Sequence, residues 1–247
     1  GISPEMEETQ SYFVSVIKMP VTNNIDLSND YGAINLDKLK GTSKINCDYG
    51  KINIGELLNS SNYINIDYTN KSTIEFMKDG EINADYSTLH IEKSGRIKLN
   101  ADYSHISFGM LANLNYNCDY GDLKIEECGN LSGNSDYMHT TVGILRGSGD
   151  FDSDYGSIKI NKLGENFKNI KIESSYTSMK FGLNPNNSFN IIASLSYGGL
   201  KYDSGFTFSK EITKTTLKQY EGYFKSSNSA NNITIKSSYG SVTFTNN

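Results

Sequence analysis

The chain contains no tryptophan, and only three histidines, three cysteines and three prolines among its 247 residues. No stretch approaches the roughly 20 apolar residues that a bilayer-spanning helix requires. Basic residues are not in excess: 23 Lys and Arg stand against 28 Asp and Glu, a net charge of −5. That balance gives no reason to expect nucleic acid, whose binders carry a basic face. Zinc-type Cys/His spacing, a phosphate-cradling glycine loop and a serine nucleophile elbow are all missing. The start, Gly1-Ile2-Ser3, has no initiator Met. It fits a processed or trimmed chain, so a missing export signal is uninformative.

What is present is β-forming: 17 Tyr and 11 Phe, many Ile, and abundant Asn, Ser and Gly for turns. Eleven of the tyrosines recur in one local phrase: Tyr31, Tyr49, Tyr68, Tyr86, Tyr103, Tyr120, Tyr137, Tyr155, Tyr176, Tyr197 and Tyr239. The intervals are 18, 19, 18, 17, 17, 17, 18, 21, 21 and 42, the last being twice 21. A period near twenty is the mark of a solenoid that stacks one small unit on the next.

Aligned on the tyrosine, each unit carries two alternating runs. Three and five residues after it come pairs such as Ile34/Leu36, Ile52/Ile54, Leu89/Ile91 and Val242/Phe244. Six, four and two residues before it come sets such as Ile97/Leu99/Ala101, Leu114/Tyr116/Cys118 and Ile233/Ile235/Ser237. Period-two alternation predicts half-buried strands before and after the tyrosine, joined by a polar return segment. The parity changes at the tyrosine, so the chain must turn a corner there. Gly follows the tyrosine in six units (Gly32, Gly50, Gly121, Gly156, Gly198, Gly240), and a recurrent corner glycine suggests φ > 0 at that position. The parity also places the tyrosines on the inward side or along the inner edge of the corner, as a structural ladder stacked coil on coil. The competing reading is an exposed aromatic strip.

Three places depart from the repeat. The unit after Tyr68 has its apolar pair late, at Ile74 and Phe76, which implies two extra corner residues. The unit of Tyr137 puts Thr140 and Val142 in the core slots. Residues 203–225 lose the pattern and are read as an irregular coil, a loop or a short helix. Residues 1–24, including Tyr12-Phe13-Val14, are expected to cap the first coil, with the solenoid over 25–247 as one domain. The cysteines read as small core residues. Cys47 and Cys118 share a phase but lie four coils apart, about 19 Å at ~4.8 Å per coil, beyond the ~7 Å reach of a disulfide. Cys128 occupies a position held by Leu39 and Leu57 in their own coils.

The residue before the tyrosine is acidic in eight successive units: Asp30, Asp48, Asp67, Asp85, Asp102, Asp119, Asp136 and Asp154. It then becomes Ser175, Ser196 and Ser238. Stacked like charges repel, so the column needs a reason. A calcium ladder is one account; a hydrogen-bond cap on corner N–H groups, as in an Asx-turn, is the other. The switch to Ser favours the cap, because Ser replaces Asp as a turn acceptor but not as a charged calcium ligand. No cofactor is therefore expected. Four residues after the tyrosine the outer column turns basic at Lys124, Lys159, Lys180 and Lys201, a possible face for an acidic glycan or simply a solvated one. His90, His105 and His139 fall on outer columns as surface residues. Outward acids such as Asp122 and Glu173 form no distinctive pair of the kind glycosidic chemistry needs.

The repeated Asp-Tyr-Gly-x-Ile-x-Ile phrase, and the ending Asn232-Ile233-Thr234-Ile235-Lys236-Ser237-Ser238-Tyr239-Gly240-Ser241-Val242-Thr243-Phe244, resemble the adhesin-type domains of unknown function common in Bacteroidetes. The likeness runs from about residue 25 to the end. It implies a right-handed, single-stranded parallel β-helix in an exported envelope protein, periplasmic or at the outer surface, with its signal peptide removed. It carries no catalytic residues across. The expectation is thus an all-β solenoid of about eleven short coils, non-catalytic, presenting a long face to an extracellular glycan or protein. A carbohydrate-binding or lyase-like β-helix is the alternative.

Overall fold

The structure, a computed structural model, describes residues 15–246. They form an all-β solenoid of stacked parallel coils. The first half comprises β1 (Ile25–Asp30), β2 (Ala33–Leu39), β3 (Ser43–Asp48), β4 (Lys51–Leu57), β5 (Asn62–Asp67), β6 (Ser72–Asp85) and β7 (Thr88–Asp102). The centre is β8 (His105–Leu145), β9 (Gly149–Asp154), β10 (Ser157–Leu163), β11 (Asn169–Ser175) and β12 (Ser178–Leu183). The C-terminal end holds β13 (Phe189–Ser196), β14 (Gly199–Tyr202), β15 (Phe206–Thr213), β16 (Leu217–Phe224), β17 (Asn232–Ser238) and β18 (Ser241–Asn246).

The alternating residues do what the pattern requires. Equivalent positions pair in register, as Leu27↔Ile45, Ile45↔Ile64, Ile64↔Ile82 and Ile82↔Leu99 do, so branched apolar side chains stack into continuous inner columns. Cys47, Cys118 and Cys128 are buried free thiols in those columns, as expected. The corner after Tyr68 holds one extra residue rather than the two expected, and Lys71 absorbs it with φ 55°. Ser72, not Ile74, takes the first inner slot, and Phe76 falls in the outer column opposite Glu56 and Lys93. Ile74 then returns to register with Ile54 and Ile91. At Gly133 one inner position lacks a side chain altogether, and it is flanked in register by Phe151. The ring of Tyr116 lies against Gly133 and is itself fully buried, so a large residue beside a glycine keeps the column filled.

The corner works differently from the expectation. All eleven repeat tyrosines, not the glycines after them, adopt the left-handed conformation, with φ between 49° and 61°. Gly205 is the one described glycine with positive φ, and it lies outside the repeat. This local reversal breaks the alternation at the tyrosine itself. The residue two before it points in, the Asp and the Tyr both point out, and the next residue points in. In ten of the eleven corners that next residue is Gly, Ser or Thr, because the coils approach closely there; Met138 after Tyr137 is the exception. A Cβ on Gly50 would overlap the Gly32 carbonyl oxygen, and one on Gly121 the Ser104 carbonyl oxygen. Where Ser or Thr stands instead, its hydroxyl joins the coils: Ser87 N–H donates to Ser104 Oγ at 2.9 Å, and Thr69 N–H to Ser87 Oγ at 3.0 Å.

The two ends are built by different means. β1 and β2 each pair on one side only among the described residues. Of the expected cap, residues 1–14 lie outside the described residues. Residues 15–24 contribute Met19, packed on the core, and the Val21 carbonyl, which accepts Lys40 N–H at 2.6 Å. At the other end the coils do not stack in chain order. β17 and β18 pair in parallel with β11 and β12 on one side and with β13 and β14 on the other. The last coil of the chain is therefore inserted between two earlier ones. Residues 203–225 contain no helix and no degenerate coil: β16 pairs antiparallel with β13, β15 pairs antiparallel with β16, and this hairpin closes the end. Phe206 plugs it, with ring centroids 5.0 Å from Phe224 and 5.3 Å from Phe244.

Candidate functional surface

The left-handed corner throws every repeat tyrosine to the outside. All eleven are exposed, from 44% at Tyr120 to 80% at Tyr31, which overturns the inward placement. They nevertheless form the ladder. Successive rings stack at centroid distances of 4.8–5.2 Å with planes within 11° of parallel, uninterrupted from Tyr31 through Tyr176, then Tyr239, then Tyr197. The backbone locks the same order: Tyr176 N–H donates to Ser238 C=O, Tyr239 N–H to Ser196 C=O and Tyr197 N–H to Thr216 C=O. The stack runs roughly 50 Å at the ~4.8 Å strand spacing. Because each interior ring covers its neighbours' faces, the strip offers solvent ring edges and phenolic hydroxyls rather than open π faces.

Beside it runs the acidic column. Three of these aspartates accept a backbone N–H from the next coil. Asp85 Oδ1 accepts Asp102 N–H at 3.1 Å, Asp119 Oδ1 accepts Asp136 N–H at 3.0 Å, and Asp154 Oδ1 accepts Ser175 N–H at 2.7 Å. These are bridges between coils, not the Asx-turns the sequence suggests. Alternate members carry the electrostatic cost. Partial burial, and after it the neighbouring carboxylates, push Asp67, Asp102 and Asp136 above the usual carboxylate range. Among the described residues no cluster of three or more His, Cys, Asp or Glu has the arrangement to hold a metal ion.

The lysine column is less continuous than the sequence implies. Lys159 and Lys180 are direct neighbours, but Thr141 precedes Lys159 and Thr243 of the inserted coil separates Lys180 from Lys201. The histidines sit outside with ordinary partners: His105 Nδ1 lies 2.7 Å from Asp122 Oδ2, His139 Nδ1 2.9 Å from Ser157 Oγ, and His90 Nδ1 2.9 Å from Ser107 Oγ.

One feature escaped the sequence reading. On the outer face of the strand before the corner lies a depression of about 400 Å³, lined by Asn115, Asn117, Ser132, Asn134, Asp150, Asp152, Lys171 and Glu173 around Gly133. The signal was a change within one column: Asn46, Asn65, Asn83, Asn100, Asn117 and Asn134 give way to Asp152 and Glu173. Glu173 is hydrogen-bonded and ion-paired to Lys171 Nζ at 3.1 Å, and this ammonium holds its carboxyl below the usual range.

No helix among the described residues is long and apolar enough to cross a membrane. No family model, no curated protein and no solved structure matches the chain.

Proposed function

We propose that the protein is a non-catalytic, exported display scaffold of the adhesin type, which holds a straight strip of tyrosine edges, phenolic hydroxyls and carboxylates against an extended extracellular partner, a glycan or a protein. The observation that carries this reading is the unbroken stack of eleven exposed tyrosines, each in a left-handed corner. Glycine takes that conformation without steric cost, whereas a bulky residue there costs on the order of 1 kcal/mol. A chain that needed only a corner would use glycine. Tyrosine at every corner supplies a stack that stiffens the solenoid and a regular polar–aromatic surface along its whole length.

A second reading, carbohydrate cleavage, rests on the acids around Gly133. The electrostatics weigh against it. Glycoside cleavage needs a carboxyl that stays protonated near neutral pH, and Lys171 acts on Glu173 in the opposite sense. The depression suits recognition of hydroxyl-rich ligands better than proton donation.

The test is native affinity electrophoresis against a panel of neutral and acidic polysaccharides, with each lane assayed for cleaved product. Retardation without cleavage that is lost in a Tyr86→Ser/Tyr103→Ser/Tyr120→Ser variant supports display by the ladder. Loss on replacing Lys124, Lys159, Lys180 and Lys201 instead would move the binding face to the lysine column. Cleavage abolished by Asp152→Asn or Glu173→Gln would establish the second reading. No shift on any polysaccharide would point the strip toward a protein partner.

A further inference from the structure

The order of coils in space differs from their order in the chain, and this defines a slot. β13 and β14 stack one level beyond the place next to β11 and β12, and the vacant level is filled by β17 and β18 from the end of the chain. Up to β11 and β12, each repeat coil is laid down directly on its predecessor. The coil at 232–246 alone can enter only after both of its neighbours exist. It is joined to the preceding strands through the polar run Lys225-Ser226-Ser227-Asn228-Ser229-Ala230-Asn231. Lys225 in that run has φ 63°, and Ser229 and Asn231 are held by hydrogen bonds to Ser188.

The slot is specific for this segment. It reads the register on both sides, pairing Ile233 with Ile170 and Ile191, and Ile235 with Ile172 and Ala193. It takes four apolar side chains, Ile233, Ile235, Val242 and Phe244, into full burial, and Phe244 stacks on Phe181 at 5.0 Å. It also matches a buried polar pair, Ser174 Oγ donating to Ser237 Oγ at 2.9 Å. Tyr239 completes the outer stack between Tyr176 and Tyr197. Nothing in these contacts depends on which copy of the chain supplies the segment.

We propose that the slot between residues 169–183 and 190–202 is a self-association site, and that its partner is the C-terminal coil, 232–246, of a second copy of this chain. Reciprocal exchange of an identical element gives a closed two-fold dimer with all native contacts conserved. During folding a chain's own segment competes at the effective concentration set by its linker. A second copy wins a share that grows with protein concentration. The resulting pair carries two tyrosine strips. This inference rests on the coil order alone and stands whether or not those strips bind a glycan.

Full-length Ser174→Cys and full-length Ser237→Cys chains are unfolded together, refolded at rising concentration, oxidised, and run on a non-reducing gel. The two cysteines meet only when the coil of one variant lies in the slot of the other. The expected result is a disulfide-linked heterodimer that grows in proportion to chain concentration and is absent when either variant is refolded alone. A Ser174→Cys/Ser237→Cys double variant, which closes the bond within one chain, establishes that the pair can bridge. A heterodimer missing at every concentration while the double variant oxidises would overturn the proposal, as would an equal band from either variant alone. If the buried substitutions impair folding, Lys171→Cys with Thr234→Cys reads the same register from the outer face, with the same two outcomes.

Discussion

Two columns run the length of the solenoid, and both are ladders of large side chains. The inner one, through Ile45, Ile64, Ile82 and Leu99, is sealed from water; the outer one, through Tyr49, Tyr68, Tyr86 and Tyr103, stands in it. The inner ladder is held by the hydrophobic effect and would tolerate another apolar residue of similar volume. The outer ladder is held by ring stacking and by the hydrogen bonds of a left-handed corner, each from a Tyr N–H to the carbonyl of the next coil. What separates them is one dihedral angle. With φ positive at the tyrosine, a side chain whose parity belongs inside is turned out, and the residue after it, small everywhere but at Met138, is turned in.

The largest effect is expected inside. Ile235→Ala empties a fully buried position in the inserted coil, between Ile172 and Ala193. It should cost about 2–5 kcal/mol, as deletions of core Ile and Leu do. Chemical denaturation measures it. A cost near that of a surface substitution would show that the inserted coil is not packed as described.

Next in size is the small residue of the corner. Gly50→Ala places a Cβ against the Gly32 carbonyl oxygen, a backbone atom that cannot move without shifting a coil, and should cost about 1–3 kcal/mol by overpacking. Gly32→Ala, on the first coil, meets only the Asn29 side chain, which can swing away. It should stay within about 0.5 kcal/mol, as ordinary surface changes do. Equal costs for the two would mean that coil-on-coil contact is not what selects glycine here.

These pairs also mark what a reader of the sequence could see. The solenoid, its inner columns, the buried cysteines, the existence of an irregular corner after Tyr68 and the stacking of the tyrosines all follow from period and parity, which are local properties of the chain. The side on which the tyrosines lie does not. Extending the alternation through the corner assigns the positive φ to the flexible residue, Gly50 or Gly121, and the structure puts it on the tyrosine. The insertion of β17 and β18 was hidden for another reason: the interval of 42 residues fits a skipped coil as well as an inserted one. Which neighbours a strand has is a long-range fact that periodicity does not carry. The depression at Gly133 joins residues from four coils, and in the sequence it shows only as Asn giving way to Asp152 and Glu173 in one column.

A smaller effect is expected on the outside. Tyr103→Ala removes two stacking contacts, each worth ~0.5–1.5 kcal/mol, and leaves a non-glycine residue at φ 53°. Tyr31→Ala removes one, with Tyr49. The first should therefore cost about twice the second. Tyr103→Gly should cost less than Tyr103→Ala, because glycine adopts the left-handed corner freely. If alanine and glycine proved equivalent, the corner would be unstrained and the rings would be ornament rather than compensation.

The smallest effect belongs to the carboxylates beside the rings, and it has a definite sign. Asp67, Asp102 and Asp136 have folded-state pKa values raised above their unfolded ones, so each favours the folded state when protonated. That contribution is fully present below the ordinary aspartate value of ~3.9 and is lost as pH rises through the raised values. Asp79, Glu127 and Glu173 behave oppositely. Arg96, Arg146 and Lys171 depress them, and their contribution fades only as pH falls through the depressed values. Moving from neutral pH toward the usual carboxylate range therefore relieves the column before it breaks the ion pairs, and the melting temperature should rise before it falls. Asp102→Asn should flatten that rise and lift stability at neutral pH by less than about 1 kcal/mol, since solvent screens these partly exposed charges. Added salt should shrink the difference between variant and parent, because it screens the same repulsion. A melting temperature that fell steadily from neutral pH downward, identical in both proteins, would mean that the stacked acids do not repel one another enough to matter.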